Sequence, residues 1–196
     1  MNTKENRASK PLMANVSNRH IHLCAADCAK LFGAGYTLVT IKDLLQPGEY
    51  ACKETLTLVG TRGKIDDVRV MWPFRKATQV EISLTDARKI GVPAPVRQSG
   101  SLAGSAAVKL IGPAGTLELN EGCIAAKRHV HMATSDAAFY GIRNGELLSI
   151  KCPGNRGLIF ENVVARVSDT MVLECHLDTD EANAAGLKNG TMVTIL

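Results

Sequence analysis

Two small β-barrels or sandwiches made by internal duplication, each capped by short helices, are the fold this sequence predicts. Three observations carry the prediction. Arg19-His20-Ile21-His22 recurs near the far end of the chain as Arg128-His129-Val130-His131. Each copy begins the same succession: a histidine strand, a short helix, a hairpin, an acidic strand and a second short helix. The apolar runs are many and short, which favours a mainly β architecture over a doubly wound α/β sheet.

Taken in order, residues 1–11 read as a flexible leader that Lys10-Pro11 closes. Leu12-Met13-Ala14-Asn15-Val16 leads into a strand through Leu23, whose two-residue period places His20 and His22 on one face. A short helix spans Ala25 to Phe32 and stops at Gly33-Ala34-Gly35. After a turn at Gln46-Pro47-Gly48, Thr55–Val59 and Ile65–Met71 form a hairpin around Arg62-Gly63. Trp72-Pro73-Phe74-Arg75 is a loop, since proline removes a ladder donor. Thr78–Ser83 is a strand with Gln79, Glu81 and Ser83 on one face, and Thr85-Asp86 opens a helix ending near Gly91. Beyond a turn-rich middle, Ala107–Ile111 and Thr116–Leu119 flank Gly112-Pro113-Ala114-Gly115 as a second hairpin. Cys123–Met132 is the second histidine strand, followed by a helix from Ser135 to Tyr140. Strands at Leu147–Lys151, Leu158–Val167 and Met171–His176 precede a helix at Thr179-Asp180-Glu181-Ala182-Asn183, with Thr or Asp as its cap. Met192–Leu196 closes the chain.

Composition narrows the function classes. A chain of 196 residues holds one large domain or two small ones, and 45% hydrophobic with 21% charged residues is ordinary for a globular protein. No apolar run reaches the roughly 18–20 residues that span a membrane, and the polar N-terminus carries no secretory signal. The net charge of +4, with one Trp, three Tyr and four Phe, gives no stacking platform for nucleic acid. Six cysteines without a C-x-x-C pair read as reduced, buried thiols in a cytosolic setting.

The histidines carry the chemistry. The chain has five, and the two H-x-H copies use four of them. Same-face imidazoles two residues apart converge on one cation, and neutral imidazole suits zinc and its neighbours. Glu81 and His176 are the natural further ligands. Aligned as repeats, Val80-Glu81-Ile82-Ser83 against Leu173-Glu174-Cys175-His176 places Glu81 opposite Glu174 and Ser83 opposite His176. Six ligands suit two sites with open positions better than one closed site. On the anion side, Arg75 lies six residues before Glu81 and aims a guanidinium at the metal, with Lys42, Arg62, Arg69, Arg97 and Lys127 as further cations. Asn183 near a helix N-terminus assists an anion or simply caps. Phosphate loops and nucleophile elbows are absent from the sequence. A dinuclear metallohydrolase also opens its site with H-x-H, but on (β/α)₈ barrels of about 250 residues. A non-catalytic metal-binding protein is the other rival.

With these residues assembled, the chain resembles the phosphate propanoyltransferases of the PduL type from about residue 12 to the end. The resemblance rests on Val16-Ser17-Asn18-Arg19-His20-Ile21-His22-Leu23, Leu45-Gln46-Pro47-Gly48, Thr78-Gln79-Val80-Glu81-Ile82-Ser83, Arg128-His129-Val130-His131-Met132, Arg156-Gly157-Leu158, and the run from His176 to Gly186. It implies two β-barrels, with the N-terminal strand completing the C-terminal one: a leader at 1–11, a first barrel at 19–126, and a second at 12–18 plus 127–196. It implies two zinc ions in a cleft between them, His20 and His22 holding one, and Glu81, His129, His131 and His176 the other. The first pair would hold its zinc with open positions, and the chemistry would lie there. Arg75 matches the phosphate-binding arginine. Ser17, Lys42 or Arg62, Arg69 and Asn183 match positions near coenzyme A, and Ser99 falls where the family keeps a serine near the site.

The implied reaction is acyl-CoA plus phosphate giving acyl phosphate plus CoA, with zinc as cofactor and a short acyl group such as propanoyl. The implied setting is propanediol degradation, with a homodimer and association with a bacterial microcompartment shell. Residues 1–11 show no apolar period that would make an encapsulation helix. Ala14-Asn15 stands where the family has Val-Gly, Met71-Trp72-Pro73 where it has Leu-Gly-Pro, and Gly104-Ser105-Ala106-Ala107 where it has a Gly-Thr-Pro-Gly turn. The last two bear on acyl preference.

Overall fold

Strands dominate the computed structural model, which describes residues 7–196. In chain order they are β1 (Leu12–Ser17), β2 (His20–His22), then helix α1 (Ala25–Phe32), β3 (Thr40–Asp43), β4 (Tyr50–Val59), β5 (Lys64–Trp72), β6 (Gln79–Glu81), helix α2 (Leu84–Ile90), β7 (Val96–Arg97), β8 (Ala106–Ile111) and β9 (Thr116–Ala126). The second half runs β10 (His129–Met132), helix α3 (Thr134–Tyr140), β11 (Leu147–Cys152), β12 (Leu158–Val167), β13 (Glu174–Asp178), helix α4 (Thr179–Ala185) and β14 (Thr191–Ile195). No helix among the described residues is long and apolar enough to cross a membrane.

The chain falls into two units. One comprises Asn18–Leu44 and Gly48–Ala126; the other comprises the described residues up to Ser17, Leu45–Pro47 and Lys127–Leu196. In the N-terminal unit β4, β5, β2, β6, β9 and β8 pair in a ring that returns to β4, with β3 added at β4 and β7 at β9. In the C-terminal unit β11, β12, β10, β13, β1 and β14 close the same ring. The sense of each pairing repeats. β2 runs parallel to β5 and antiparallel to β6, as β10 runs parallel to β12 and antiparallel to β13. β9 runs parallel to β6 as β1 does to β13. The internal duplication is therefore visible strand by strand, and β1 completes the C-terminal barrel. Closure leaves neither ring with a free edge.

Alternation builds each core. Along β4, Cys52, Glu54, Leu56 and Leu58 are buried while the residues between them are less so. Leu56, Leu58, Val68, Val70, Val80 and Leu110 fill the N-terminal barrel, and Leu12, Val130, Ile150, Val163, Leu177 and Val193 fill the other. Five of the six cysteines join these interiors as free thiols; Cys24 is half-buried. Burial pushes Cys123 up to about 12, so it is an inert packing group.

The long strand expected from Leu12 to Leu23 is two strands, and so is that expected from Cys123 to Met132. Both break just before the R-H-x-H histidine, at Asn18-Arg19 and Lys127-Arg128. The first break is local competition for the backbone: the Asn18 side chain accepts from the Arg19 N–H at 2.8 Å. The arginines explain themselves at the next level. Ser83 caps α2 by accepting from the Asp86 N–H, and Asp178 caps α4 with a full capping box to Glu181. Arg19 donates to Asp86 at 2.7 Å, and Arg128 to Glu181 at 2.8 Å. Each arginine of the repeated motif thus ties the histidine strand to the first turn of a capped helix. Gly91 and Gly186 end those helices in the left-handed region, at φ 73° and 66°.

Of the expected flexible leader, residues 1–6 lie outside the described residues. The rest is fastened to the C-terminal unit. Residues 7–9 are helical. Arg7 donates to the Tyr140 carbonyl at 3.1 Å and to Glu146 at 2.8 Å, Lys10 pairs with Asp136, and the Tyr140 hydroxyl donates to the Lys10 carbonyl.

Candidate metal centre

Register decides which histidines meet which partners. On β2 and β6, His20 lies opposite Glu81 and His22 opposite Gln79. On β10 and β13, His129 lies opposite His176 and His131 opposite Glu174. Structural equivalence therefore pairs Glu81 with His176 and Gln79 with Glu174. The alignment expected from sequence, Glu81 with Glu174 and Ser83 with His176, is off by two residues. A slip of two keeps every side chain on its own face, so the expected faces hold while the partners change. Ser83 corresponds instead to Asp178, the other helix cap.

The six candidate ligands gather three and three: His20, His22 and Glu81 in one unit, and His129, His131 and His176 in the other, with the donor atoms of each trio within 4.8 Å of one another. Glu81 falls with His20 and His22, where the resemblance grouped it with His129, His131 and His176. A two-ligand site beside a four-ligand site is not the arrangement found. Each trio leaves a fourth tetrahedral position.

In the first trio His20 Nδ1 is committed to the Asn18 carbonyl at 2.8 Å, which leaves Nε2 for the cluster. That Nε2 lies 3.1 Å from His22 Nε2 and 3.5 Å from Glu81 Oε2. In the second trio His129 Nδ1 is held by the Lys127 carbonyl at 2.9 Å, again two residues back. The three rings stand 4.7, 4.9 and 4.8 Å apart between centroids. Glu174 Oε2 lies 2.8 Å from His176 Nε2. The carbonyl hydrogen bonds fix the tautomers of His20 and His129, as the partners of metal-ligating histidines do.

The electrostatics match. Burial, then neighbouring His20 and Arg75, hold His22 far below the usual imidazole range. Burial, then His176 and His131, do the same to His129, and His131 is lowered to about 3 by burial, then by His176 and Arg166. These three imidazoles are thus neutral at pH 7, the form that binds a metal. His22 Nδ1 and His131 Nδ1 are buried without a hydrogen-bond partner, at the same position of each trio. Leaving such an atom unsatisfied costs about 1–3 kcal/mol. The residues present fit a zinc-type ion on donor chemistry, with three imidazole or carboxylate donor atoms within 4.8 Å of one another in each trio.

Around the first trio the structure adds a polar network. Ser99 Oγ donates to Glu81 Oε1 at 2.8 Å and accepts from Arg75 Nη1 and Gln79 Nε2, both at 2.9 Å. Gln79 also donates to Glu81 and accepts from the Gly100 N–H at 2.8 Å, pinning the loop that carries Ser99. The Arg75 N–H donates to the Leu23 carbonyl, and its guanidinium lies 4.0 Å from both Glu81 and Glu49. Arg75 is half-buried.

The other expected binding residues are dispersed. Lys42 is exposed on the outer strand β3, and Arg62 is exposed in the β4–β5 turn. Arg69 lies opposite His20, but donates to the Cys52 and Lys53 carbonyls at 3.0 and 2.7 Å. Ser17 ends β1 opposite Asp178, and Asn183 is exposed on α4, where its carbonyl accepts from the Gly186 N–H. The sequence reading did not assign Gln79, Glu174, Gln46 or Asn15. Gln79 and Glu174 each stand two residues before a candidate ligand, on its face, and that spacing was their available signal.

Two barrels that each present a trio of candidate cation donors, the N-terminal one with an arginine against it, define a class of two-barrel proteins with a candidate metal centre in each unit. The family model described as phosphate propanoyltransferase matches residues 13–188. A phosphate propanoyltransferase of Thermotoga maritima is 49% identical over 97% of this chain and 91% of its own length. Those of Salmonella typhimurium and Clostridioides difficile are 50% and 48% identical, each over 92% of this chain and 86% of their own. The chain belongs to the phosphate propanoyltransferase family and is an acyltransferase.

Proposed function

We propose that this chain is a phosphotransacylase that interconverts a short-chain acyl-CoA, propanoyl-CoA in the first instance, and phosphate with acyl phosphate and CoA, with a zinc ion at each trio. The observation that carries this reading is the network joining Arg75 and Ser99 to Glu81 of the first trio. It sets a guanidinium fork beside a three-donor cation site, the pairing that receives a phosphate dianion. The relatives' name supplies phosphate and the propanoyl group.

The reaction forms one bond and breaks one. A phosphate oxygen attacks the thioester carbonyl carbon, the carbon–sulfur bond breaks, and CoA leaves as the thiolate. Zinc, when bound, would supply Lewis-acid stabilisation of developing negative charge. Arg75 would grip and orient phosphate through its guanidinium, and Ser99 and Gln79 would hold Arg75 and Glu81 in their relative geometry. Ser99 Oγ is occupied by two donors and one acceptor, which favours direct attack by phosphate over an acyl-serine. Lys42, Arg62, Arg69, Ser17 and Asn183 would serve coenzyme A; Arg69 must first release its two backbone carbonyls. A second copy of the chain and a microcompartment shell belong to the same reading as partners.

The test is thiol release from acetyl-, propanoyl- and butanoyl-CoA, with and without phosphate. Phosphate-dependent release, greatest with propanoyl-CoA, is the expected result. Release that ignores phosphate would make the protein a thioester hydrolase.

A further inference from the structure

β5 and β12, the parallel partners of the two histidine strands, carry the same irregularity. Leu56 and Leu58 on β4 pair with Val68 and Ile65 on β5, and Leu148 and Ile150 on β11 pair with Val163 and Phe160 on β12. One extra residue is thus inserted into β5 and into β12, which is a β-bulge. Each bulge holds one residue in the left-handed region, Asp67 and Asn162, both at φ 58°. Asp and Asn tolerate that region better than other side-chain-bearing residues do. The bulge reverses the alternation of its strand. Phe160 lies in the core of the C-terminal barrel, yet beyond Asn162 the core residues are Val163 and Ala165. Without the inserted residue Arg166 would follow Phe160 into the core. With it, Arg166 shares a face with His131, its partner in register.

The guanidinium delivered there is unlike its peers. Of the half-buried arginines described, Arg7, Arg19, Arg69, Arg75 and Arg128 each donate to a carbonyl, carboxylate or hydroxyl oxygen. Arg166 is half-buried too, and among the described residues its guanidinium makes no hydrogen bond or ion pair. Its charge is felt at the second trio: after burial and the neighbouring imidazoles, Arg166 is a further cause that holds His129 and His131 low. That trio contains no carboxylate, whereas the first contains Glu81. A divalent cation beside Arg166 would leave an excess of positive charge even with the Glu174 carboxylate counted, and partly desolvated charge of one sign calls for the other.

We propose that Arg166 is a further substrate-binding residue, which takes a phosphoryl oxyanion at the second trio as Arg75 does at the first. The oxyanion belongs either to inorganic phosphate or to a phosphate of coenzyme A, since the bidentate chemistry of the fork is the same for both. The cation as co-partner of that anion rests on the zinc reading above; the unpartnered guanidinium does not.

Two readouts on the full-length protein test it. The Nε–H resonance of Arg166, assigned by its loss in Arg166→Lys, should shift when inorganic phosphate is titrated in, or when the nucleotide half of coenzyme A, which carries its phosphates without the thiol, is titrated in. The response should persist in Arg75→Gln, and whichever probe produces it names the source. Arg166→Gln should then raise the KM for the matching substrate, phosphate or acyl-CoA, by about tenfold, and Arg166→Lys should restore part of the loss. The resonance is read on the wild-type fold, so it decides the matter if Arg166→Gln does not fold. A resonance that neither probe moves, or an Arg166→Gln enzyme with wild-type KM for both substrates, would overturn the assignment. A resonance that responds in a protein showing no phosphate-dependent release of CoA would overturn the proposed reaction and leave Arg166 as an oxyanion site.

Discussion

Acidification should unfold the metal-free protein well above the pH at which carboxylates titrate. His22, His129 and His131 are neutral in the fold because burial, seconded by their neighbours, holds each far below 6.5. In the unfolded chain each returns to about 6.5. Below that pH the unfolded state binds protons that the folded state does not, so stability is level above 6.5 and falls as pH falls. At pH 5 each buried histidine costs about 2 kcal/mol, and the three together about 6 kcal/mol, comparable with the whole stability of an ordinary domain. Glu174 adds to the loss further down. Despite the opposing effect of burial, its hydrogen bonds from His176, Gln46 and Asn15 hold it at about 2, so its contribution fades below about 4.5. The assay is urea unfolding of chelator-treated protein followed by circular dichroism between pH 8 and pH 4.5. The midpoint should be flat to about pH 6.5 and then drop steeply. A midpoint unchanged between pH 7 and pH 5 would refute the neutral burial of these rings.

Zinc stoichiometry tests the three-and-three grouping. Glu81→Gln and His129→Ala should each lower uptake by one equivalent and the double variant should bind none, whereas a double variant that still holds one would return Glu81 to the His129 site. Arg75→Lys keeps the charge but loses the fork, so the KM for phosphate should rise about tenfold or more while the KM for acyl-CoA changes little. Gly112→Ala should destabilise the N-terminal barrel by about 2–4 kcal/mol in urea unfolding, because its Cβ would fall 2.4 Å from the Leu31 carbonyl oxygen.

What was legible in the sequence was what repeats. The H-x-H pairs and the succession of short elements after each predicted two barrels, and the strand pairings repeat in sense from one unit to the other. The turn residue at Gly91 fixed a helix end for the ordinary reason that the left-handed region favours glycine. Pairing partners were less legible. β3 (Thr40–Asp43) is exposed along its whole length, so it has no alternation to announce it. The break before His129 depends on which barrel the preceding strand enters, which no local pattern encodes, whereas the break before His20 has a local cause in the Asn18 side chain. Gln46 looked like a turn residue, and its side chain acts on Glu174, 128 positions away.

The misplaced alignment shows why the ligand sets were harder to read than the ligands. Each acidic strand carries polar residues on alternate positions, so a two-residue slip satisfies every face requirement and changes only who meets whom. Sequence similarity favours matching Glu81 to Glu174, like with like. The ladder matches Glu81 to His176, because His20 and His129 fix the register and each faces its own third donor. The Arg19–Asp86 and Arg128–Glu181 bonds independently support the same register, since each joins the arginine before the first histidine to the first turn of the helix after the acidic strand. With the backbone equivalent and the donors exchanged, the two trios have become unlike sites on like scaffolds. The first offers a carboxylate and has Arg75 and Ser99 against it, and the second offers three imidazoles backed by Glu174. In the proposed function that difference gives phosphate handling to the first trio, and it follows from two positions on each of two short strands.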